Sequence, residues 1–239
     1  MWKFFGQRLI NLGGKGIINL IDVGSIGALP PPWHENPGKV HHLLKFEPLD
    51  KPNKNRFVTT LDIAISGENG ERDFYVYKSQ HGSSLYEQNH ELVRENYQKL
   101  KNLGPKNLAD TWFERSRLIK VEKIQCRKLD DILQELNHPF PYHFIKIDAQ
   151  GAEYEILKGS ETFLKEDCVG LYLELFVYPL YKGIALLPQV KHHLKELGFD
   201  LIIKEPAHGT FDSQHNCLFL KRGKKGGIIN IIKEIYNVQ

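Results

Sequence analysis

Residues 17–23, Ile-Ile-Asn-Leu-Ile-Asp-Val, form a short, β-branched run that is apolar on both sides of a two-residue alternation, and it ends at Gly24. An amphipathic surface strand would alternate apolar with polar side chains. A run apolar in both directions fits a strand covered on both faces, as in a parallel sheet sandwiched between helices. Further strands are therefore expected, with helical connections between them.

The rest of the chain supplies them. His42–Phe46 is a second apolar run, closed by Glu47 and Pro48, and Arg56–Ile65 is a third β-rich stretch. The turn-forming residues 68–71 precede Phe74–Tyr77, which predicts an extra strand or hairpin. Ser84–Leu103 reads as helical, and Leu118–Cys126 alternates as an edge strand would. His143–Asp148 has a strand pattern, and Ala152–Lys158 has helical spacing that stops at Gly159, so this stretch predicts a strand-loop-helix unit. Val169–Val177 follows as a strand and Pro188–Leu197 as a helix with Gly198 as its C-cap. Phe199–Lys204 and Asn216–Lys221 are close enough to form an antiparallel pair. The alternation implies an α/β fold with a largely parallel sheet and helices on both faces. A single domain is expected, with an N-terminal amphipathic segment over 1–16, a core over 17–223 and a helical tail over 224–239.

Bulk properties remove several classes. The charge of +3 comes from 32 basic and 29 acidic residues, without the basic excess of a dedicated nucleic-acid binder. Cys126, Cys168 and Cys217 are odd in number, lack metal-ligand spacing and read as reduced core thiols, which points to the cytoplasm. Residues 1–16 lack the uninterrupted apolar stretch of a secretory leader, and no run approaches the roughly 18 apolar residues a membrane-spanning helix needs.

Ligands of a doubly wound sheet bind outside the carboxyl ends of the strands. The first such end reads Asp22-Val-Gly24-Ser25-Ile-Gly27, whose glycines permit a tight turn and close backbone approach to a cofactor. In a dinucleotide fingerprint the place of Asp22 is a glycine beside a pyrophosphate, which a carboxylate would repel. S-adenosylmethionine carries no phosphate, and its ammonium and sulfonium are cationic. Glu47 ends the next strand, about 25 residues further on, where an acid accepts the ribose hydroxyls of an adenosine. Asp62–Ile65, at the third strand end, would frame the adenine, with Ile65 as the named contact.

The stretch Phe144-Ile-Lys-Ile-Asp-Ala-Gln-Gly-Ala-Glu-Tyr-Glu-Ile-Leu-Lys-Gly159 resembles the FkbM family of methyltransferases. The resemblance continues through Asp22–Gly27, Phe46–Pro48, Gly82–Leu85, Lys128–Asp131, Leu173-Glu174, Tyr181–Gly183 and Leu197–Phe199, and spans roughly 17–221. It implies a Rossmann-like class I methyltransferase fold, with a seven-stranded, mostly parallel sheet and an antiparallel last strand. It also implies S-adenosylmethionine as donor and a small-molecule or carbohydrate hydroxyl as acceptor. Ser84 enters as a donor-pocket residue through the Ser-Ser-Leu match. Two departures stand out: Gln150, where many members have Glu, and Pro30-Pro-Pro-Trp33, a rigid segment in place of the start of the first helix.

Methyl transfer is an in-line displacement, so the protein must chiefly align acceptor, methyl and sulfur and accept the acceptor's proton. Asp148, at the end of the fourth strand, is the leading base and also a donor contact; a divalent metal held there is a rival role that nothing else in the sequence indicates. Glu174, flanked by Leu173 and Leu175, is costly to bury unless it is paired or faces the cleft, and is the second catalytic candidate beside Asp148. Glu153 favours the dipole of the next helix whatever the function. His81, His208 and His215 fall in expected loops and are further candidate bases. An NAD-type oxidoreductase on a similar sheet and a non-catalytic adenosine-binding module are the competing readings.

Overall fold

The computed structural model describes residues 17–24, 27, 29–100, 108–208 and 211–238. The expected N-terminal amphipathic segment and Ser25 lie outside the described residues. The strands are β1 (Ile18–Val23), β2 (Val40–Phe46), β3 (Asn53–Lys54), β4 (Val58–Leu61), β5 (Ala64–Ile65), β6 (Gly70–Tyr77), β7 (Leu118–Arg127), β8 (Phe144–Ile147), β9 (Gly170–Phe176), β10 (Phe199–His208) and β11 (Phe211–Lys221). The helices are α1 (His90–Glu95), α2 (Tyr97–Leu100), α3 (Leu108–Arg115), α4 (Leu129–Leu136), α5 (Glu153–Lys158), α6 (Glu161–Glu166), α7 (Leu187–Glu196) and α8 (Gly227–Ile235).

The large sheet has the order β10-β11-β9-β8-β1-β2-β4-β3. Pairings β4-β2-β1-β8-β9 are parallel, and β11 runs antiparallel between β9 and β10. The sheet is therefore mixed and has eight strands rather than the seven expected. The extra strand is the two-residue β3, which folds back antiparallel onto β4. Its sequence is polar and exposed, so no periodicity announces it.

A second correction concerns the middle of the chain. Arg56–Ile65 does not form one strand: β4 stays in the large sheet, while β5 joins β6 and β7 in a separate three-stranded sheet of order β5-β7-β6. The break falls at Asp62, which is exposed. Helix begins only at His90, capped by the Asn89 side chain accepting from the Leu92 N–H at 3.3 Å; Ser84 instead pairs with Tyr75 as an isolated bridge. His208 and His215 belong to β10 and β11, not to loops.

Between β1 and β2 the described residues hold only two short 3₁₀ turns, Trp33–Glu35 and Pro37–Lys39, in place of a crossover helix. The sheet face left open there is covered from the other end of the chain. Ile229, Ile232 and Ile235 of α8, followed by Tyr236, share one buried cluster with Ile18 and Leu20 of β1, Leu43 of β2 and Phe144 of β8. Trp33 closes it, with its ring centroid 5.1 Å from that of Phe144 and its Nε1–H donating to the Tyr236 hydroxyl at 3.1 Å. Each fully buried isoleucine contributes about 1.5–3 kcal/mol of apolar burial to this closure. The opposite face, carrying Ile21, Val23, Leu44, Ile145, Leu171 and Leu173, packs against residues of α4 to α7. Alternate residues of β1 thus enter different cores, as a strand buried on both sides requires.

Candidate active site

The α8 face of the sheet changes character along the strands. Near their amino ends the residues pointing to that face are Leu20, Leu43 and Phe144; one step on, in the same alternation, come Asp22, Lys45 and Lys146. Glu174 on β9 and Gln214 and Asn216 on the antiparallel β11 continue this polar row. It borders a cavity of about 780 Å³, a size ordinary for cofactor and substrate sites. Sheet-derived walls include Asp22, Gly24, Glu47, Lys146, Asp148 and Glu174, and Ile63–Ile65 adds an apolar edge. The remaining wall comes from residues 79–83, Gln88, the end of α3 and Tyr181.

The parallel pairing brings the predicted strand ends together. β1 aligns Asp22 with Lys45 on one side and with Lys146 on the other. Gly24 leaves β1 with φ +74°, and a Cβ there would lie 1.9 Å from the Asp148 carbonyl oxygen, so the first strand and the β8 loop approach at a distance only glycine allows. Lys45, buried, donates from Nζ to the Gly27 carbonyl at 2.7 Å and anchors the glycine loop from β2. Glu47 stands half-buried at the cavity; it accepts from the Leu49 N–H at 3.1 Å, and burial pushes its carboxyl above the usual range.

Lys146 is the residue that sequence reading missed. Its Nζ lies 3.5 Å from Asp22 Oδ1 and 3.6 Å from Asp148 Oδ2, and donates to the Gly24 carbonyl at 3.5 Å. Burial opposes its charge, but Asp22 and Asp148 more than offset this, and its pKa is raised above the ordinary lysine value. Within the sequence it is a lone lysine in an apolar run, and only the pairing of β8 with β1 sets it beside Asp22.

The loop after β8 is a hydrogen-bonded unit. Gln150, at φ +51°, donates from Nε2 to Asp148 Oδ1 at 2.8 Å, and its Oε1 lies 3.1 Å from the Tyr181 hydroxyl. Its backbone carbonyl accepts from Ser84 Oγ at 2.7 Å. Ser84 is therefore turned toward the loop and does not line the cavity, whereas its neighbour Ser83 does. Beneath the loop, buried Glu153 accepts from the Ala149 N–H at 2.9 Å and the Gly151 N–H at 3.0 Å, and burial pushes its carboxyl up to about 8. Glu174 faces the cavity and accepts from the Gln214 side-chain amide, so its cost of burial is offset by a partner from β11. Ile65 lines the cavity; Asp62 does not. Of the histidines, His81 lines the cavity and His215 is buried away from it. Among the described residues no three His, Cys, Asp or Glu side chains converge as metal ligands.

No curated protein matches the chain. A crystal structure of methyltransferase FkbM from Methylobacillus flagellatus KT is similar in fold at 13% identity and a TM-score of 0.45, over 85% of this chain. The chain spans 43% of the length of that protein. The methyltransferase FkbM domain model matches residues 25–201, which include Glu47, Lys146, Asp148 and Glu174, and the chain belongs to that family.

Proposed function

We propose that this chain is an S-adenosylmethionine-dependent methyltransferase that methylates a hydroxyl oxygen of a sugar, glycan or secondary metabolite. The observation that carries the reading is the convergence of Asp22, Gly24, Glu47 and Asp148 on one cavity at the carboxyl ends of β1, β2 and β8. These residues suit the donor. Asp22 Oδ1 is buried beside the Lys146 ammonium at 3.5 Å, and Asp22, Glu47, Asp148 and Glu174 outnumber that one lysine, so the floor stays acidic and suits a ligand bearing an ammonium and a sulfonium. In this reading Glu47 accepts from the ribose hydroxyls, Ile65 flanks the adenine, and Gly24 lets the backbone after β1 approach the donor, the sequence adding Ser25 and Gly27 to that loop.

The bound donor supplies an electrophilic methyl group on a sulfonium. The chain's own work is then alignment and proton management. Asp148 accepts the proton of the acceptor hydroxyl: Lys146 and Gln150 each engage one of its oxygens, and each oxygen keeps a further lone pair. Their grip also fixes the carboxylate's orientation. Glu174, held by Gln214, is the second acidic group of the cavity and positions the acceptor. Buried Tyr181 restrains Gln150 through its hydroxyl.

Calorimetric titration of S-adenosylmethionine into the wild-type protein and into Asp22→Ala and Glu47→Ala, each checked for folding by circular dichroism, tests this reading. Binding by the wild type and its loss in both variants is expected. No wild-type binding, or binding indifferent to both changes, refutes it.

A further inference from the structure

The cavity is electrically asymmetric. Its carboxylates, Asp22, Glu47, Asp148 and Glu174, come from strands of the large sheet or the residues just after them, and the single Lys146 lies among them. The wall built by residues 79–88 and α3 contributes none; its permanently charged group is Arg115, at the last turn of α3. Glu114, its neighbour in sequence, is committed to Lys78, and Glu87, beside the wall, to Lys182. Arg115 makes no ion pair with any described residue. Its guanidinium instead rests over the Trp112 ring, 5.6 Å from the centroid, an arrangement that restrains the side chain without neutralising it.

The same wall contains hydrogen-bonding groups that the protein does not complete. Gln88 is almost wholly buried and lines the cavity, and its Oε1 has no hydrogen-bond partner among the described residues; Nε1 of the half-buried Trp112, on the same wall, is likewise buried without one. Leaving such groups unpaired is costly, and nearly all buried polar atoms find partners. Small turns of these side chains present them to a ligand in the cavity. Ser83 adds a hydroxyl whose oxygen already accepts from the Tyr77 N–H at 3.2 Å, so its proton is available to donate.

We propose that the Arg115–Trp112 wall is the acceptor subsite, and that the acceptor carries an anionic oxygen group, a carboxylate or a phosphate, on a polyhydroxylated body. Arg115 pairs with the anion. Trp112 and Gln88 supply a donor and an acceptor to the hydroxyls, and Asp22 and Glu47 hold the methyl donor at the other pole, leaving Asp148 and Glu174 to the acceptor hydroxyl. This deepens the methyltransferase reading and takes from it the division of the cavity between donor and acceptor.

The test uses the full chain and three probes that differ only in charge and its source: glucose, glucuronate and glucose 6-phosphate, each titrated calorimetrically with and without S-adenosylhomocysteine. In the wild type at least one anionic probe binds tenfold or more tighter than glucose, and added salt reduces that preference. The two anionic arms tell whether the group is a carboxylate or a phosphate. In Arg115→Gln the preference falls to about twofold or less, and Arg115→Lys restores part of it, since Lys keeps the charge without the fork. S-adenosylmethionine affinity stays unchanged in both variants, whose folding circular dichroism checks. Equal or absent binding of all three probes by the wild type overturns the proposal, as does a preference indifferent to Arg115→Gln. Loss of S-adenosylmethionine affinity in Arg115→Gln also overturns it, because Arg115 then serves the donor's own carboxylate. Anion selectivity in a protein that binds no S-adenosylmethionine would sink the donor reading while leaving the anion site standing.

Discussion

Replacing Lys146 with Met tests how the acidic floor of the cavity is held together. Lys146 Nζ sits 3.5 Å from Asp22 and 3.6 Å from Asp148, so its removal leaves two carboxylates facing each other across a site that has lost its cation. The Asp22 side chain is 2% exposed and cannot recover solvation, whereas Asp148 at 31% recovers part of it. Breaking a buried pair by deleting one partner costs roughly 3–5 kcal/mol, and the partial exposure of Asp148 puts the expectation near 3. For a chain of this size a loss of about 3 kcal/mol lowers the melting temperature by roughly 6–12 °C. The sign with pH follows from the raised pKa of Lys146: its contribution is complete below the ordinary lysine value and is lost only as pH rises through the higher folded value. The deficit of the variant is therefore full at neutral pH and shrinks in alkali. Urea unfolding of wild type, Lys146→Met, Asp22→Asn and the double variant gives the coupling between the two residues. The reasoning is refuted if the single Lys variant unfolds within 1 kcal/mol, on the order of ordinary surface changes, of the wild type, or if Asp22→Asn recovers none of its loss.

Three further outcomes are expected. Gly24→Ala forces a Cβ onto the Asp148 carbonyl at a positive φ, so it costs more than the roughly 1–3 kcal/mol of backbone strain alone and weakens S-adenosylmethionine binding; chemical denaturation and calorimetry measure both. Gln150→Glu replaces a donor 2.8 Å from Asp148 with a second carboxylate and removes a charge-assisted hydrogen bond that fixes it, so kcat/KM falls by roughly tenfold or more; an unchanged kcat/KM argues against Asp148 as the base. Glu153, raised by burial to about 8, contributes stability that is present below its ordinary value and lost as pH rises through about 8; Glu153→Gln flattens the dependence of urea stability on pH in that window.

Much of the candidate site was legible because its residues sit at strand ends with local signatures. The glycine loop after β1, Glu47 after β2 and Asp148 after β8 each close an apolar run, and parallel pairing at the switch point brings such ends together. Lys146 was not legible as a site residue. Within its own strand it is a single lysine in an apolar run, and only the neighbouring β1, distant in sequence, supplies Asp22 as its partner. Ser84 shows the reverse: a family motif named it, and the fold turned its hydroxyl to Gln150 while Ser83 reached the cavity.

The sequence by itself determined the α/β class, the positions of most central strands, the strand-loop-helix unit around Asp148 and the acidic strand ends, because periodicity and turn chemistry act over a few residues. Tertiary structure decided the rest: that β3 adds an eighth strand, that β5 leaves the large sheet for β6 and β7, and that α8 covers the face where the described residues between β1 and β2 form only short 3₁₀ turns. Those outcomes depend on which apolar faces and unpaired strand edges remain when distant segments meet. Such competition has no local period to read.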